Sequence, residues 1–220
     1  MPGPVLKGIK PLHKTDKHPG LKNVAEFSNN TLKIGDMNLA VLLPQGEELD
    51  EWLAVNVIEF YNEISLLYGC LTEFCTKESC PKMCAGSKFE YRWAEGNQKV
   101  PVQVSAPEYI DYLMNWIEKE FSNEELFPCK QGVPFPPNFV DAVKVIFRRL
   151  FRVYAHIYHS HFKHISALDA AAHLNTSFKH FIYFVSEYKL IENADFAPLA
   201  ELVEEFNKKK KLRAEDSKQQ

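Results

Sequence analysis

Two pairs of side chains with the ligand chemistry of zinc are the feature that most limits how this chain can fold. Cys75 and Cys80 are separated by four residues, and so, much later in the chain, are His156 and His161. Two cysteines and two histidines are a common tetrahedral zinc set, and two thiolates with two neutral imidazoles leave no net charge on the bound ion. A shared metal would tie an early loop of the fold to a late helix.

The spacing alone leaves the histidine pair ambiguous, because four histidines crowd residues 156–164. Residues five apart lie about 140° apart around an ideal α-helix, so His156 and His161 share a metal only if the helix distorts or ends between them. The competing interpretation is a set of ordinary core histidines. No secretory signal pattern is present, so the cysteines are expected to be metal ligands or free thiols and not disulfides.

Composition and charge narrow the class of protein. The chain has 220 residues, 45% of them hydrophobic, which suffices for one substantial core. Residues 1–22 hold five lysines against one aspartate, and residues 207–220 hold six basic against two acidic side chains. Removing these two tails of +4 from the net charge of −3 leaves −11 on residues 23–206. This negative charge disfavours nucleic-acid binding and favours a basic peptide as partner.

The apolar periodicity predicts a mainly α-helical, single-domain bundle. Helices are expected at residues 47–68, 105–121, 138–161, 168–190 and 195–207. Phe89, Tyr91 and Trp93 alternate with charged residues, which predicts one strand of a small hairpin, with residues 100–104 as its partner. Residues 26–206 form the predicted helical domain, between disordered basic tails at 1–25 and 207–220. No apolar run is long enough for an integral membrane segment.

The sequence contains none of the common catalytic motifs that we sought. It has no glycine-rich phosphate loop, no G-x-S-x-G elbow and no H-E-x-x-H helix. Four protein ligands would close a zinc site, whereas a catalytic zinc usually keeps one position open. Nothing in these patterns argues for enzymatic activity, and a zinc held by all four residues would be structural. A zinc-dependent hydrolase or redox enzyme is the alternative.

Several sequence blocks run through the body in a characteristic order. They are LPQGEELDEWLAVN (43–56), TEFC (72–75), SCP (79–81), YRW (91–93), SAPEYIDYLM (105–114), GVPFP (132–136), RLFRVYAHIYHSHF (149–162) and HLNTSFKHF (173–181). Together these blocks resemble the Mob (Mps-one-binder) kinase-activator family over about residues 31–200. The resemblance implies a compact helical adaptor with one structural zinc, held by Cys75, Cys80, His156 and His161. Cys84 is the one rival ligand, because it lies near Cys80.

The resemblance also gives meaning to basic residues on the helix predicted at 138–161. Lys144, Arg148 and Arg152 recur at intervals of four residues, with Arg149 beside them, and we call these four residues the basic row. The simplest interpretation is a solvated helix face. In the family, residues matching Arg148, Arg149 and Arg152 bind phosphothreonine peptides of upstream Ste20/Hippo-like kinases or scaffolds, and arginine suits phosphate geometrically. Basic residues at all three positions favour the kinase co-activator branch over the phocein-like branch, whose members are scaffold subunits of a phosphatase-kinase assembly.

A second surface is implied on the helix predicted at 47–68, and we call it the acidic face. Its residues are Glu47, Glu51, Trp52 and Glu59. In the family this region binds the N-terminal regulatory segment of NDR/LATS-type AGC kinases, in Hippo-like or mitotic-exit signalling. An exposed tryptophan beside acids suits a basic amphipathic helix, although Trp52 also fits the apolar stripe.

Regulation by phosphorylation is a further expectation from the resemblance. Thr31 matches a family position that the upstream kinase phosphorylates, and Thr15 is a loose counterpart of a second such position. Unphosphorylated, the residues before Leu39 are expected to lie against the kinase-binding helix and to compete with the kinase. A cytoplasmic and nuclear location is expected for such an adaptor.

Overall fold

The computed structural model describes residues 24–32, 35–96, 100–130 and 132–216, and it is mainly helical. The longer helices are α3 (Leu49–Gly69), α4 (Ala106–Phe121), α5 (Phe139–His156), α7 (Ala171–Glu187) and α8 (Ala200–Asp216). The shorter ones are α1 (Val24–Asn29), α2 (Met37–Ala40) and α6 (Phe162–Ala167), together with a π-helical turn (Ile157–His161) and a 3₁₀ helix (Asn193–Leu199). The predicted helical bundle is thus confirmed.

An aromatic cluster joins three of the long helices at the centre of the bundle. Phe60 on α3 lies 5.7 Å from Phe147 on α5 and 5.4 Å from both Phe181 and Phe184 on α7, measured between ring centroids. All four rings are almost completely buried. Truncating one such phenylalanine to alanine typically costs about 3–5 kcal/mol, so this cluster fixes how α3, α5 and α7 are arranged.

A capping box starts α4, as Ser105 and Pro107 indicate in the sequence. The Ser105 hydroxyl accepts a hydrogen bond from the Glu108 backbone N–H at 3.4 Å, and the Glu108 carboxylate accepts one from the Ser105 N–H at 3.2 Å. These contacts satisfy two N–H groups that a helix start leaves free. The Ala106 N–H also donates to the Cys80 carbonyl at 2.9 Å, which joins α4 to the cysteine loop.

The small hairpin is present, but residues 100–104 are its partner at one position only. Strand β1 (Cys84–Ala85) pairs antiparallel with β2 (Phe89–Glu90) through a tight turn, and Val102 forms only an isolated bridge with Trp93. The turn depends on Gly86, which has a φ of 67°. A Cβ at this position would also approach the His159 ring to 3.0 Å, so a side chain is disfavoured on two grounds.

Several element ends differ from the prediction. The helix expected at 138–161 stops being α-helical at His156 and continues as the π-helical turn. The last helix runs to Asp216 and not to Asn207, so the predicted tail at 207–220 begins as helix. Lys209 explains part of this extension, because its ammonium donates to the Ser28 carbonyl, the Ser28 hydroxyl and the Asn29 side chain of α1, at 2.9, 2.8 and 2.7 Å. Helices α1 and α2 were not predicted.

Candidate metal centre and binding surfaces

The cysteine pair lies in a short loop that follows α3 and is held by its own hydrogen bonds. The Cys75 N–H donates to the Leu71 carbonyl and the Cys80 N–H to the Thr76 carbonyl, both at 2.8 Å. The Ser79 hydroxyl donates to the Phe74 carbonyl at 2.6 Å and accepts from the Thr76 N–H at 2.9 Å. The loop geometry is therefore set by backbone hydrogen bonds and by the Ser79 hydroxyl, and both cysteines are buried.

The π-helical turn resolves the ambiguity in the histidine spacing. A π-helix bonds residue i to residue i+5 and so holds one more residue per turn than an α-helix. His156 is the last residue of α5 and His161 ends the π-helical turn, so the extra residue brings the two rings to one side. Their centroids lie 5.1 Å apart, and both side chains are buried.

Ligand atoms of all four predicted residues meet within 4.8 Å of one another. The sulfur of Cys75 lies 3.4 Å from Nε2 of His156, and the sulfur of Cys80 lies 3.4 Å from Nε2 of His161. Tetrahedral zinc with bonds of about 2.3 Å to sulfur and about 2.05 Å to nitrogen would place sulfur and nitrogen roughly 3.5 Å apart. The cluster therefore fits a metal ion of this kind, and its four ligands leave no open position for substrate.

The protonation states of the cluster also suit metal binding. Nδ1 of His156 lies 2.8 Å from the Cys84 carbonyl, which can only accept, so the proton is on Nδ1 and Nε2 is free to coordinate. Burial lowers the pKa of His161 to about 4, which keeps this imidazole neutral at pH 7. Burial raises the pKa of Cys75 to about 12, so this thiol needs a cation to become the thiolate that coordinates.

Three nearby side chains have other contacts. Cys84 is half-buried and contributes its backbone carbonyl to His156, while its thiol lies outside the four-residue cluster. His159 lies 2.8 Å through Nε2 from the Pro198 carbonyl, and the His164 ring stacks on Phe74 with centroids 4.5 Å apart. The structure thus brings together His156 and His161, the pair that the sequence resemblance implied.

The arginines of the basic row differ sharply in environment. Arg149 is only 7% exposed and lies between two indoles, with its guanidinium carbon 4.7 Å from the Trp93 centroid and 4.3 Å from that of Trp116. Nη2 of Arg149 donates to the Ala94 carbonyl at 2.9 Å. Nη1 is buried and has no hydrogen-bond acceptor among the described residues. The fold therefore holds this guanidinium in one orientation, and little of the side chain reaches the surface.

Arg148 and Arg152 are half-buried beside it. Nη1 of Arg152 donates to the Tyr109 hydroxyl at 2.8 Å, and its guanidinium lies over the Tyr91 ring at 5.1 Å. Nε of Arg148 lies 3.6 Å from the Asp195 carboxylate. No sequence pattern marks Trp116, Tyr109 or Asp195 as neighbours of the basic row, because they come from α4 and the 3₁₀ helix. The proposed binding of phosphate stays a prediction.

The acidic face is formed in part. Glu51 and Glu59 are exposed on α3, with Val55 between them at 52% exposure. Glu47 is exposed but precedes the helix, where its N–H closes a turn onto the Pro44 carbonyl at 3.2 Å, so it does not continue the helical row. Trp52 is half-buried against Phe184, with centroids 6.4 Å apart, and so belongs partly to the core.

The segment that carries Thr31 lies along α7 and next to the end of α3. Thr31 is half-buried, and the following Leu32 N–H donates to the Thr176 hydroxyl of α7 at 2.8 Å. Leu32 and Met37 line a cavity of about 330 Å³ together with Leu66 and Leu67 of α3. Thr15 lies outside the described residues. In the described part of the chain, no helix is both long and apolar enough to cross a membrane.

Comparison with known proteins gives the family. A sequence model of the Mob1/phocein family matches residues 29–199. A protein of Arabidopsis thaliana named MOB kinase activator-like 1A is 59% identical over 175 residues, which is 79% of this chain and 81% of the relative. MOB kinase activator-like 1 homolog A of Dictyostelium discoideum is 52% identical over 204 residues, or 92% of this chain and 94% of the relative. The chain belongs to the Mob1/phocein family, whose kinase activators are regulators and not enzymes.

Proposed function

We propose that this protein is a non-enzymatic adaptor that binds and activates a kinase of the NDR/LATS type. The observation that carries the proposal is membership of the Mob1/phocein family. The relatives named as kinase activators match this chain over most of their own length. The buried Cys2His2 cluster supports a structural zinc, which would cross-link the fold without taking part in a reaction. We place the adaptor in the cytoplasm and nucleus, where such kinases would meet it.

The exposed part of the acidic face supports binding of a basic kinase segment. Glu51 and Glu59 present two carboxylates on one side of α3, and Val55 between them offers apolar contact area. An amphipathic basic helix from the kinase's N-terminal regulatory segment matches this combination in charge and hydrophobicity. Glu47 extends the negative charge from the turn before the helix.

A charge-reversal experiment tests this surface. Glu51→Lys combined with Glu59→Lys should weaken binding of a basic kinase segment at least about tenfold at low salt, because like charges then face each other. Glu124→Lys combined with Glu125→Lys is the matched control, since it makes the same charge change at exposed positions after α4. The affinities are measured by calorimetry. If the two folded double variants bind the kinase segment equally well, the acidic face is not part of the interface.

The basic row supports docking of a phosphothreonine peptide from an upstream Ste20/Hippo-like kinase or scaffold. Arg149 is held in place between two indoles, and the half-buried Arg148 and Arg152 lie beside it on α5. Arginine forks at fixed positions suit the oxygens of a phosphate, which accepts charge-assisted hydrogen bonds. Docking would bring the upstream kinase to Thr31, whose phosphorylation would add negative charge beside the end of α3, where Glu63 lines the same cavity as Leu32, and release the segment. Glu47 and Glu51, expected from the sequence to repel this phosphate, lie at the other end of α3.

Phosphopeptide binding is best tested at Arg148, because replacing Arg149 would also remove a core contact. Arg148→Ala should weaken phosphothreonine-peptide binding about tenfold or more, whereas Lys144→Ala, one turn earlier on α5, should have a smaller effect. Replacing Arg148, Arg149 and Arg152 together by alanine should abolish phosphothreonine-peptide binding and reduce Thr31 phosphorylation in cells. Normal phosphopeptide affinity in the triple variant would show that the row is an ordinary helix face.

A further inference from the structure

One carboxylate lies against the basic row, and the sequence did not point to it. Oδ2 of Asp195 is 3.6 Å from Nε of Arg148, and the two side chains are 24% and 32% exposed. Asp195 belongs to the first turn of the 3₁₀ helix Asn193–Leu199, and its backbone N–H donates to the Glu192 carbonyl at 2.9 Å. The next residue, Phe196, packs on Phe151 of α5 with ring centroids 5.3 Å apart, which holds this turn against α5.

The influence of Asp195 extends beyond Arg148. Burial lowers the pKa of Arg152, but Tyr109, Tyr91 and Asp195 raise it, and the net change is upward. Asp195 therefore interacts electrostatically with two of the three arginines that we propose bind phosphate. Any anion that binds there must share these cations with a resident negative charge.

The contact between Asp195 and Arg148 is an ion pair and not a hydrogen bond that orients the guanidinium. Charge-assisted N–H···O bonds are typically about 2.7–2.9 Å long, well below the separation seen here. Nε of Arg148 is buried and makes no hydrogen bond among the described residues. The carboxylate therefore acts on Arg148 mainly through its charge.

We propose that Asp195 determines the affinity and charge selectivity of the basic row by opposing the negative charge of an incoming phosphate. This inference rests on the phosphopeptide docking proposed above. Coulomb energy scales with the product of the charges, so a phosphate dianion is repelled about twice as strongly as a carboxylate at the same place. Asp195 thus lowers the binding affinity most for the most highly charged ligands. A phosphorylated partner would therefore dissociate more readily.

The test uses the full chain and three synthetic peptides of one otherwise neutral sequence, with phosphothreonine, glutamate or threonine at the central position. Asp195→Asn keeps the shape of the side chain and removes its charge. It should tighten phosphothreonine-peptide binding about fivefold and glutamate-peptide binding about twofold, since the smaller charge gains half the energy. Glu192→Gln, an exposed carboxylate three residues earlier, should change neither affinity. Isothermal titration calorimetry measures the peptide affinities of the wild type, Asp195→Asn and Glu192→Gln.

The gain should shrink in high salt, because screening weakens the repulsion that the substitution removes. Asp195→Ser is a second neutral variant in case Asp195→Asn melts well below the wild type. Unchanged or weaker phosphopeptide binding in a folded neutral variant would overturn the inference, even if the wild type binds normally. A wild type that binds no phosphopeptide would instead overturn the proposed docking itself, so the two failures are distinct.

Discussion

Loss of one metal ligand should destabilise the protein by an amount that depends on how many residues separate the cysteine ligands from the histidine ligands. Cys75 and His156 are 81 residues apart, as are Cys80 and His161. By the chain-entropy relation for covalent cross-links, closing a loop of that size stabilises the folded state by about 4.5 kcal/mol. In a domain of this size each kcal/mol lowers Tm by roughly 2–4 °C, so Cys80→Ser or His161→Ala should lower it by about 10–20 °C.

The assay combines a thermal melt with metal analysis of the purified protein. The wild type should carry one zinc per chain, and both ligand variants should carry much less. His159→Ala and Cys84→Ser are the controls, because both residues are near the cluster without belonging to it. The ligand assignment is wrong if His159→Ala loses the metal while His161→Ala keeps it. The cross-link argument is wrong if metal-free Cys80→Ser melts at the wild-type temperature.

Two smaller perturbations test contacts outside the metal centre. Lys209→Met removes three hydrogen bonds to α1 and should speed amide exchange in that helix. The expected change corresponds to a lowering of the free energy of local opening by about 1–2 kcal/mol. Lys208→Met is the control, because Lys208 is exposed and pairs with Glu204, and it should leave the exchange unchanged. Equal exchange in the two variants would contradict this role of Lys209. Burial raises the pKa of Glu63, so its contribution to stability is present below its ordinary pKa and is lost as the pH rises through the raised value. Glu63→Gln should therefore raise Tm at about pH 7 and leave it unchanged near about pH 3; a gain at both values would mean that charge is not the cause.

The sequence was informative wherever a short-range rule acts alone. Apolar periodicity located the long helices, and Ser105 followed three residues later by Glu108 marked the start of α4 because a capping box involves only neighbouring residues. The hairpin partner was misjudged for a related reason. The alternation of Phe89 with charged residues showed that a strand exists, but only the tight turn at Gly86 decides which residues it pairs with.

Features that depend on tertiary contacts could not be predicted. The π-helical turn has no signal in the periodicity, although the five-residue interval between His156 and His161 required some distortion if they share a metal. Arg149 could not be distinguished from its half-buried neighbours in the basic row, because the two indoles that enclose it come from other parts of the chain. Helix α8 runs past Asn207 despite its run of lysines, since Lys209 and Lys210 find acceptors on α1 and α7.

The metal cluster and the basic row are connected through the framework of the protein. His156 is the last residue of α5 and lies one turn after Arg152, so a metal bound there fixes the end of the helix that carries the row. The cysteine loop acts from the other side, because the Cys80 carbonyl accepts from Ala106 at the start of α4, and Tyr109 of α4 holds Arg152. Helix α3 joins the same framework, because the Cys75 N–H donates to the Leu71 carbonyl and the Leu71 N–H donates to the Tyr68 carbonyl near the end of α3. Glu51 and Glu59 are farther from the metal cluster, since both lie at least two helical turns before Tyr68. A structural metal at this position would therefore order the proposed phosphate site more directly than the proposed kinase site.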